Sequence, residues 1–303
     1  MATDPTTSHS TSVGTSIPTE IDASLINEVR ESAIGMRLVD ARPLNGAGAL
    51  SFPRLSVTVS ASAITSGTAE ADAQSLTTLT TAVATATPAV KAAHVLQSML
   101  SIATSAVNWM QAVPQIIGRA LADIIDVDIL ALCAGFSNTV GSTGVDASFS
   151  NLRAALLKLR TVAKGEAGAG VFVLHPQQCD DVDAEVQSGT GAGLATVMSR
   201  ADLLNWFGGE AGEGVLGSYR GSFMNVPVLQ STNVPDANGT SDHGGALLIP
   251  GSALGMAIGW APTVSMADQG VNLKVAKSWQ GTVCYGVVEK SDSRGVSIIT
   301  DHA

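Results

Sequence analysis

The stretch GAGALSFPRLSVTVSASAITSGTAEADAQSLTTLTTAVATATPAV, which carries residues 47–90 behind Gly46, constrains this chain most. β-Branched and small residues alternate in it as they do in strands, and Arg54, Glu70 and Asp72 are the only charges between 47 and 90. Its Gly/Ala/Glu/Asp middle divides the run in two, which predicts a long β-hairpin. A two-stranded ribbon with so little apolar bulk is marginal in water by itself. It has to lie on another surface, and neutral Ser/Thr faces suit one.

The rest of the composition points the same way. In 303 residues, charged side chains make up 14%, against about 25% in an average soluble domain. Such a surface suits a protein largely covered by other chains. Aromatics are 4% within an apolar share of 45%, so Ala, Val, Leu and Ile supply the bulk. The net charge of −10, with no Lys/Arg cluster along the chain, argues against sequence-specific nucleic-acid binding, which draws affinity from a basic stripe. It is compatible with enclosing nucleic acid without gripping it. Cys133, Cys179 and Cys284 form no CxxC and no framework spacing, which fits a reducing compartment. Asn238-Gly239-Thr240 reads as a turn, and MATDPTTSHSTSVGTS has neither the basic nor the apolar region of a signal peptide.

Along the chain, residues 1–18 read as a polar arm, and IPTEIDASLINEVRESA as a helix with Leu25, Val29 and Ile34 near helical spacing. A short helix is expected around SIATSAVNWM. The strongest helix follows in QAVPQIIGRALADIIDVDILALCAGF, where Val113, Ile116, Ile117, Ala120, Leu121, Ile124 and Ile125 form the apolar face. Pro114 is expected in its first turn and Gly135 at its end, and some 22 residues make a rod of roughly 33 Å. SFSNLRAALLKLRTVAKG predicts another helix, capped by Ser148 or Ser150 and ended by Gly165. GVFVLHP is a strand of buried type. Pro176 then starts a helix that excludes His175. Residues 244–267 carry no charge, yet five Gly and two Pro interrupt them, so strand, turn, short helix and strand are expected rather than a membrane span. SFMNVPVLQS, LKVAKSW, GTVCYGVVEKS and GVSIITD read as further strands, in a fold with mainly antiparallel pairing.

Chemical motifs are few. His175 and Cys179, with Asp180, Asp181, Asp183 and Glu185 behind them, have the residue types of a metal site or a thiol nucleophile with its base. Pro176 breaks the helical i,i+4 geometry at His175, however, and His9, His94, His243 and His302 are scattered. A strand-to-helix corner, with Asp180, Asp181 and Asp183 in early turns favoured by the helix dipole, explains the cluster better. GEAGAG (165–170) and GTGAGL (189–194) lack the context of phosphate-cradling loops. Asp123, Asp126 and Asp128 span more than one helix face and read as solvated or salt-bridged acids, with Arg119 a ready partner for Asp123. No catalytic, cofactor or metal residue is expected.

The order of elements resembles that of the tailed-bacteriophage major capsid protein with the Hong Kong 97-like fold, over nearly the whole chain. The polar arm and IPTEI…VRESA look like that family's N-terminal arm and helix. LSFPRL…AVKAA is similar to its extended loop, and QAVPQIIGRALADIIDVDILALCAGF to its spine helix, with Ile125, Asp126, Leu130, Leu132 and Gly135 at the ending. GVFVLHPQQ resembles its axial strand-to-helix corner. GSFMNVPVLQSTNVP resembles a further segment through Asn225-Val226-Pro227-Val228, Ser231 and Pro235.

The resemblance implies an α+β chain divided into an N-terminal arm and helix (1–46), an extended β-hairpin loop (47–90), a peripheral domain with the spine helix (91–137 and 250–303) and an axial domain (138–249). It implies a capsid subunit that assembles with itself as pentamers and hexamers into an icosahedral shell around double-stranded DNA. Assembly would take place in the host cytoplasm, with separate scaffolding, portal and decoration proteins as partners and no membrane. Residues 47–90 contain no Lys, so the loop cannot supply the amine of the Lys–Asn cross-link that some members form. The short arm leaves no room for a fused scaffolding domain, and Met1 argues against proteolytic maturation. The neighbouring alternative is an encapsulin-type nanocompartment with protein cargo; enzyme and decoration-protein readings find no site and no repeat.

Overall fold

A computed structural model describes residues 34–46, 48–55, 81–105, 109–163, 170–187, 218–237, 242–268 and 276–301. The elements are α1 (Gly35–Leu38), β1 (Val39–Pro43), β2 (Leu50–Leu55), β3 (Thr81–Ala86), β4 (Ala89–Ser98), α2 (Met99–Thr104) and α3 (Trp109–Leu130), then β5 (Thr139–Gly141), α4 (Phe149–Ala163), β6 (Val171–Leu174) and α5 (Pro176–Gln187). Six strands complete the chain: β7 (Tyr219–Phe223), β8 (Val226–Gln230), β9 (Asp242–Leu248), β10 (Leu254–Asp268), β11 (Ala276–Glu289) and β12 (Gly295–Asp301). The polar arm and the helix expected over IPTEIDASLINEVRESA lie outside the described residues up to Ile34.

α3 is the backbone of the fold. Val113, Ile117, Leu121, Ile125 and Ile129 recur every four residues and are buried, which lays one stripe of the helix on β10, β11 and β4. Two expectations about it need correction. The described helix runs from Trp109, whose side chain packs on the core, so Pro114 sits inside the helix rather than in its first turn. Ile116, expected on the apolar face, is 42% exposed, one position off the stripe.

Two sheets share the core on α3. The four-stranded sheet runs β1-β10-β11-β4, with β1 parallel to β10 and the other pairs antiparallel. The six-stranded sheet runs β5-β12-β9-β6-β8-β7. Val171, Val173, Ala246 and Leu248 on one of its faces join the α3 core. Phe172, Leu174, Leu247 and Ile298 on the other form a second core with Leu152, Leu156 and Leu159 of α4 and with Cys179 and Val182 of α5. Alternation along each strand thus feeds two cores from one sheet. Pairing is mainly antiparallel, as expected.

The structure departs from expectation in two tail segments. The short helix expected within 244–267 is absent; Leu254–Asp268 is one strand of 15 residues. Its first half is held between β1 and β11, and the register breaks around Trp260 and Thr263 accommodate Pro262 where β1 has ended. SFMNVPVLQS is not one strand but the β7–β8 hairpin. Met224 and Asn225 turn it with φ of 49° and 64°, the paired left-handed residues of a type I′ turn.

Of the expected long hairpin, the base is described: β2 pairs antiparallel with β3 from Leu50↔Ala86 to Leu55↔Thr81. Residues 56–80 lie outside the description. No helix among the described residues is long and apolar enough to cross a membrane.

Candidate functional site

The structure separates His175 from Cys179 chemically. Pro176 opens α5, and the Cys179 backbone N–H donates to the His175 carbonyl at 3.1 Å, so the two residues flank the first turn. The Cys179 side chain belongs to the second apolar core, where burial pushes its thiol up to about 12 and keeps it a protonated, poor nucleophile at neutral pH. Burial has the same effect on Cys133. The His175 ring stacks instead on His243, with centroids 3.6 Å apart. His243 Nε2 pairs with Gln177 Oε1, and its Nδ1 lies 3.2 Å from Asp236 Oδ1. Gln178, fully buried, holds the corner together. Its Oε1 accepts from the His175 N–H at 3.0 Å, and its Nε2 lies 2.7 Å from Thr300 Oγ1 and 3.2 Å from the His243 carbonyl. One amide thereby ties the ends of β6, β9 and β12. No group of three or more His, Cys, Asp or Glu among the described residues could hold a metal ion.

The acids behind Cys179 serve a helix other than their own. The first turn of α5 contains no acid, so Asp180, Asp181 and Asp183 lie beyond the reach of its dipole, contrary to expectation. Glu185 Oε2 accepts the N–H of Phe149, the first residue of α4, at 2.8 Å, and Asp181 Oδ2 accepts that of Ala147 at 3.3 Å. Ser148 completes the cap, its Oγ accepting from the Asn151 N–H at 3.3 Å. Asp183 pairs with Arg220 of β7. Burial, then the neighbouring Asp146, Asp180 and Asp301, raise the Asp181 carboxyl above its usual range.

The aspartates of α3 also tie elements together. Asp126 is buried at 1% exposure, accepting from the Gly35 N–H at 2.5 Å and from Asn233 Nδ2 at 3.0 Å. It is therefore not the solvated acid expected, and burial raises its carboxyl above normal. Asn233 Nδ2 also donates to Asp123 at 3.2 Å. Asp128 accepts from the Tyr285 hydroxyl at 2.6 Å and lies 3.2 Å from Lys91 Nζ. GTGAGL and all of GEAGAG but its last glycine lie outside the described residues. Gln178, His243 and Asn233 carried no signal in the sequence, because their role depends on long-range partners.

The four-stranded sheet and the hairpin base carry the remaining features of the surface. The hairpin base is anchored by Phe52, 3% exposed, which packs with Ala86 and Ala257. A Cβ on Gly255 would come within 2.8 Å of the Phe52 ring, so only glycine leaves room there. Arg42 and Lys290 lie 5.6 and 5.5 Å from the ring centroid, and both bind Asp40, at 2.9 and 2.6 Å. Arg42, and with it Lys290, holds the Asp40 carboxyl below its usual range. Beyond this anchor the four-stranded sheet exposes Val90 and Leu96 on β4 and Trp260, Val264 and Met266 on β10.

No family model and no curated protein matches the chain. Solved structures do. The chain is similar to that of Mycobacterium phage Che8 (17% identity, TM-score 0.66, covering 93% of this chain and 96% of that one). It is also similar to the capsid of the cyanophage P-SCSP1u (13%, 0.65, 94% and 93%) and to the capsid of a native GTA particle (13%, 0.67, 95% and 97%). The chain therefore has the α+β fold of tailed-phage capsid subunits, the fold implied by its order of elements.

Proposed function

We propose that this protein is the major capsid protein of a tailed phage and acts by assembly. The observation that carries the reading is the likeness to capsid structures over more than nine-tenths of both chains. The half-covered four-stranded sheet supports it, since that apolar surface calls for a neighbour. Copies assemble as pentamers and hexamers, and residues 47–90 of each reach over an adjacent copy from the Phe52 anchor. The capsomers close an icosahedral shell around double-stranded DNA, in the host cytoplasm, with scaffolding, portal and decoration proteins as partners. Contacts weak one by one become strong through their number, and the net charge of −10 keeps the inner wall from gripping DNA. In this reading residues 91–137 and 250–303 form the peripheral domain, residues 138–249 the axial domain, and no residue has a catalytic role.

The test is expression of the chain alone, followed by sedimentation velocity and negative-stain microscopy of one fraction. Closed particles or capsomers are expected. A compact monomer at high concentration would overturn the proposal.

A further inference from the structure

In an acidic chain, α4 is a basic helix. It carries Arg153, Lys158 and Arg160 and no acid, whereas α5 carries four acids and no base. Lys158 is held within the fold, its Nζ donating to the Thr139 carbonyl at 2.9 Å. Arg153 and Arg160 are exposed on the flank of α4, about a quarter turn from the buried row Leu152, Leu156 and Leu159, and among the described residues neither has an ion-pair partner. Between them, on the same face, Leu157 is 64% exposed. An apolar centre with a charged rim is the anatomy of a contact surface.

The complement lies on the same molecule, before the start of α4. Val145 is 50% exposed and its carbonyl accepts from the Asp301 N–H at 2.9 Å. Asp146 beside it is exposed, and Asp180 has a side chain 79% exposed, 3.9 Å from Arg220. Asp181 Oδ2 accepts from the Ala147 N–H at 3.3 Å, which brings Asp146 and Asp180, the chain neighbours of those two residues, to one place. Here the apolar centre has an acidic rim.

We propose that these two surfaces meet between copies of this chain. Arg153, Leu157 and Arg160 of one copy dock on Val145, Asp146 and Asp180 of the next. The inference rests on the capsid reading and names one of its contacts. A contact between two different patches is heterologous, and it closes into a ring when the rotation between copies is right. Two arginines flanking an exposed leucine suit a carboxylate-rimmed apolar patch better than a run of phosphates.

The test uses charge reversal in the full chain. Arg153→Glu with Arg160→Glu makes both patches acidic, and Asp146→Lys with Asp180→Lys makes both basic. Each variant alone should need at least about tenfold more protein to assemble than the wild type, because like charges then face each other. About 1 M NaCl should narrow the gap. A one-to-one mixture should form hexamers near the wild-type threshold, since opposite signs alternate around a ring of six, whereas a ring of five keeps one like-charged contact. Leu157→Ser, on a side chain outside both cores, raises the threshold without moving the unfolding midpoint. The inference is overturned if either reversed variant assembles like the wild type, or if the mixture forms no hexamers while both keep the wild-type midpoint. It is equally overturned if the arginine variant forms normal shells and loses only retained DNA. A wild-type chain that never assembles rejects the capsid reading instead.

Discussion

In the six-stranded sheet β6 and β9 bury every residue of their spans, whereas β10 of the four-stranded sheet exposes every residue from Gly259 to Ala267. Both stretches are apolar or neutral, apart from Asp242 and His243 at the start of β9, so side-chain character does not explain the contrast. Position does. β6 and β9 are central strands with α4 and α5 on one face and the α3 core on the other. β10 is covered by β1 only as far as Ile258, and α3 lies over the shared core rather than beyond it. The first sheet is completed by its own chain. The outer half of the second presents Trp260, Val264 and Met266 to whatever lies alongside, along a strand edge with no partner among the described residues. Such an edge is a hazard for an isolated protein and an asset for one that works as a tile.

The largest expected effect lies in the completed sheet. Phe172 is fully buried, so Phe172→Ala should lower subunit stability by about 3–5 kcal/mol, read from the urea midpoint of the unassembled chain. A loss below 1 kcal/mol would mean this core tolerates cavities and the contrast is overstated. Next comes the covered half of the other sheet. A Cβ at Gly281 would come within 2.2 Å of Ile117 Cγ2 and 3.0 Å of Leu121 Cδ1. Gly281→Ala should push α3 off β11 at a cost of about 1–3 kcal/mol, with faster amide exchange along both. Smallest is the uncovered end: Trp260→Ser, Val264→Ser and Met266→Ser together should shift subunit stability by no more than about 0.5 kcal/mol each, yet impair assembly. If they destabilise the free subunit as much as Phe172→Ala does, that surface belongs to the subunit core and the comparison fails.

Much of this fold is legible in the residues. α3, α4 and the β6–α5 corner follow from local periodicity, from the Ser148 cap and from Pro176, and these signals act within a few residues of chain. The base of the hairpin follows from β-branched alternation. What escapes local reading is anything set by a partner far along the chain. Glycines that look like breaks in 244–267 instead seat a neighbour: Gly255 makes room for Phe52 and Gly259 for Cys284, so β10 continues where a helix was expected. The acids of α5 look like dipole partners of their own helix, yet Asp181 and Glu185 cap α4 from more than 30 residues away. Arg153 and Arg160 form no cluster along the chain, and become one because seven residues make two helical turns.

By itself, the sequence determined α3, α4 and α5, the buried strand type, the charge-poor surface and the lack of a motif with catalytic spacing, because each depends on residue type and short-range periodicity. Tertiary structure alone decided which apolar face is covered and which is left open, and which acids are buried as ties. Burial depends on the packing of segments distant in sequence, and no local pattern records it.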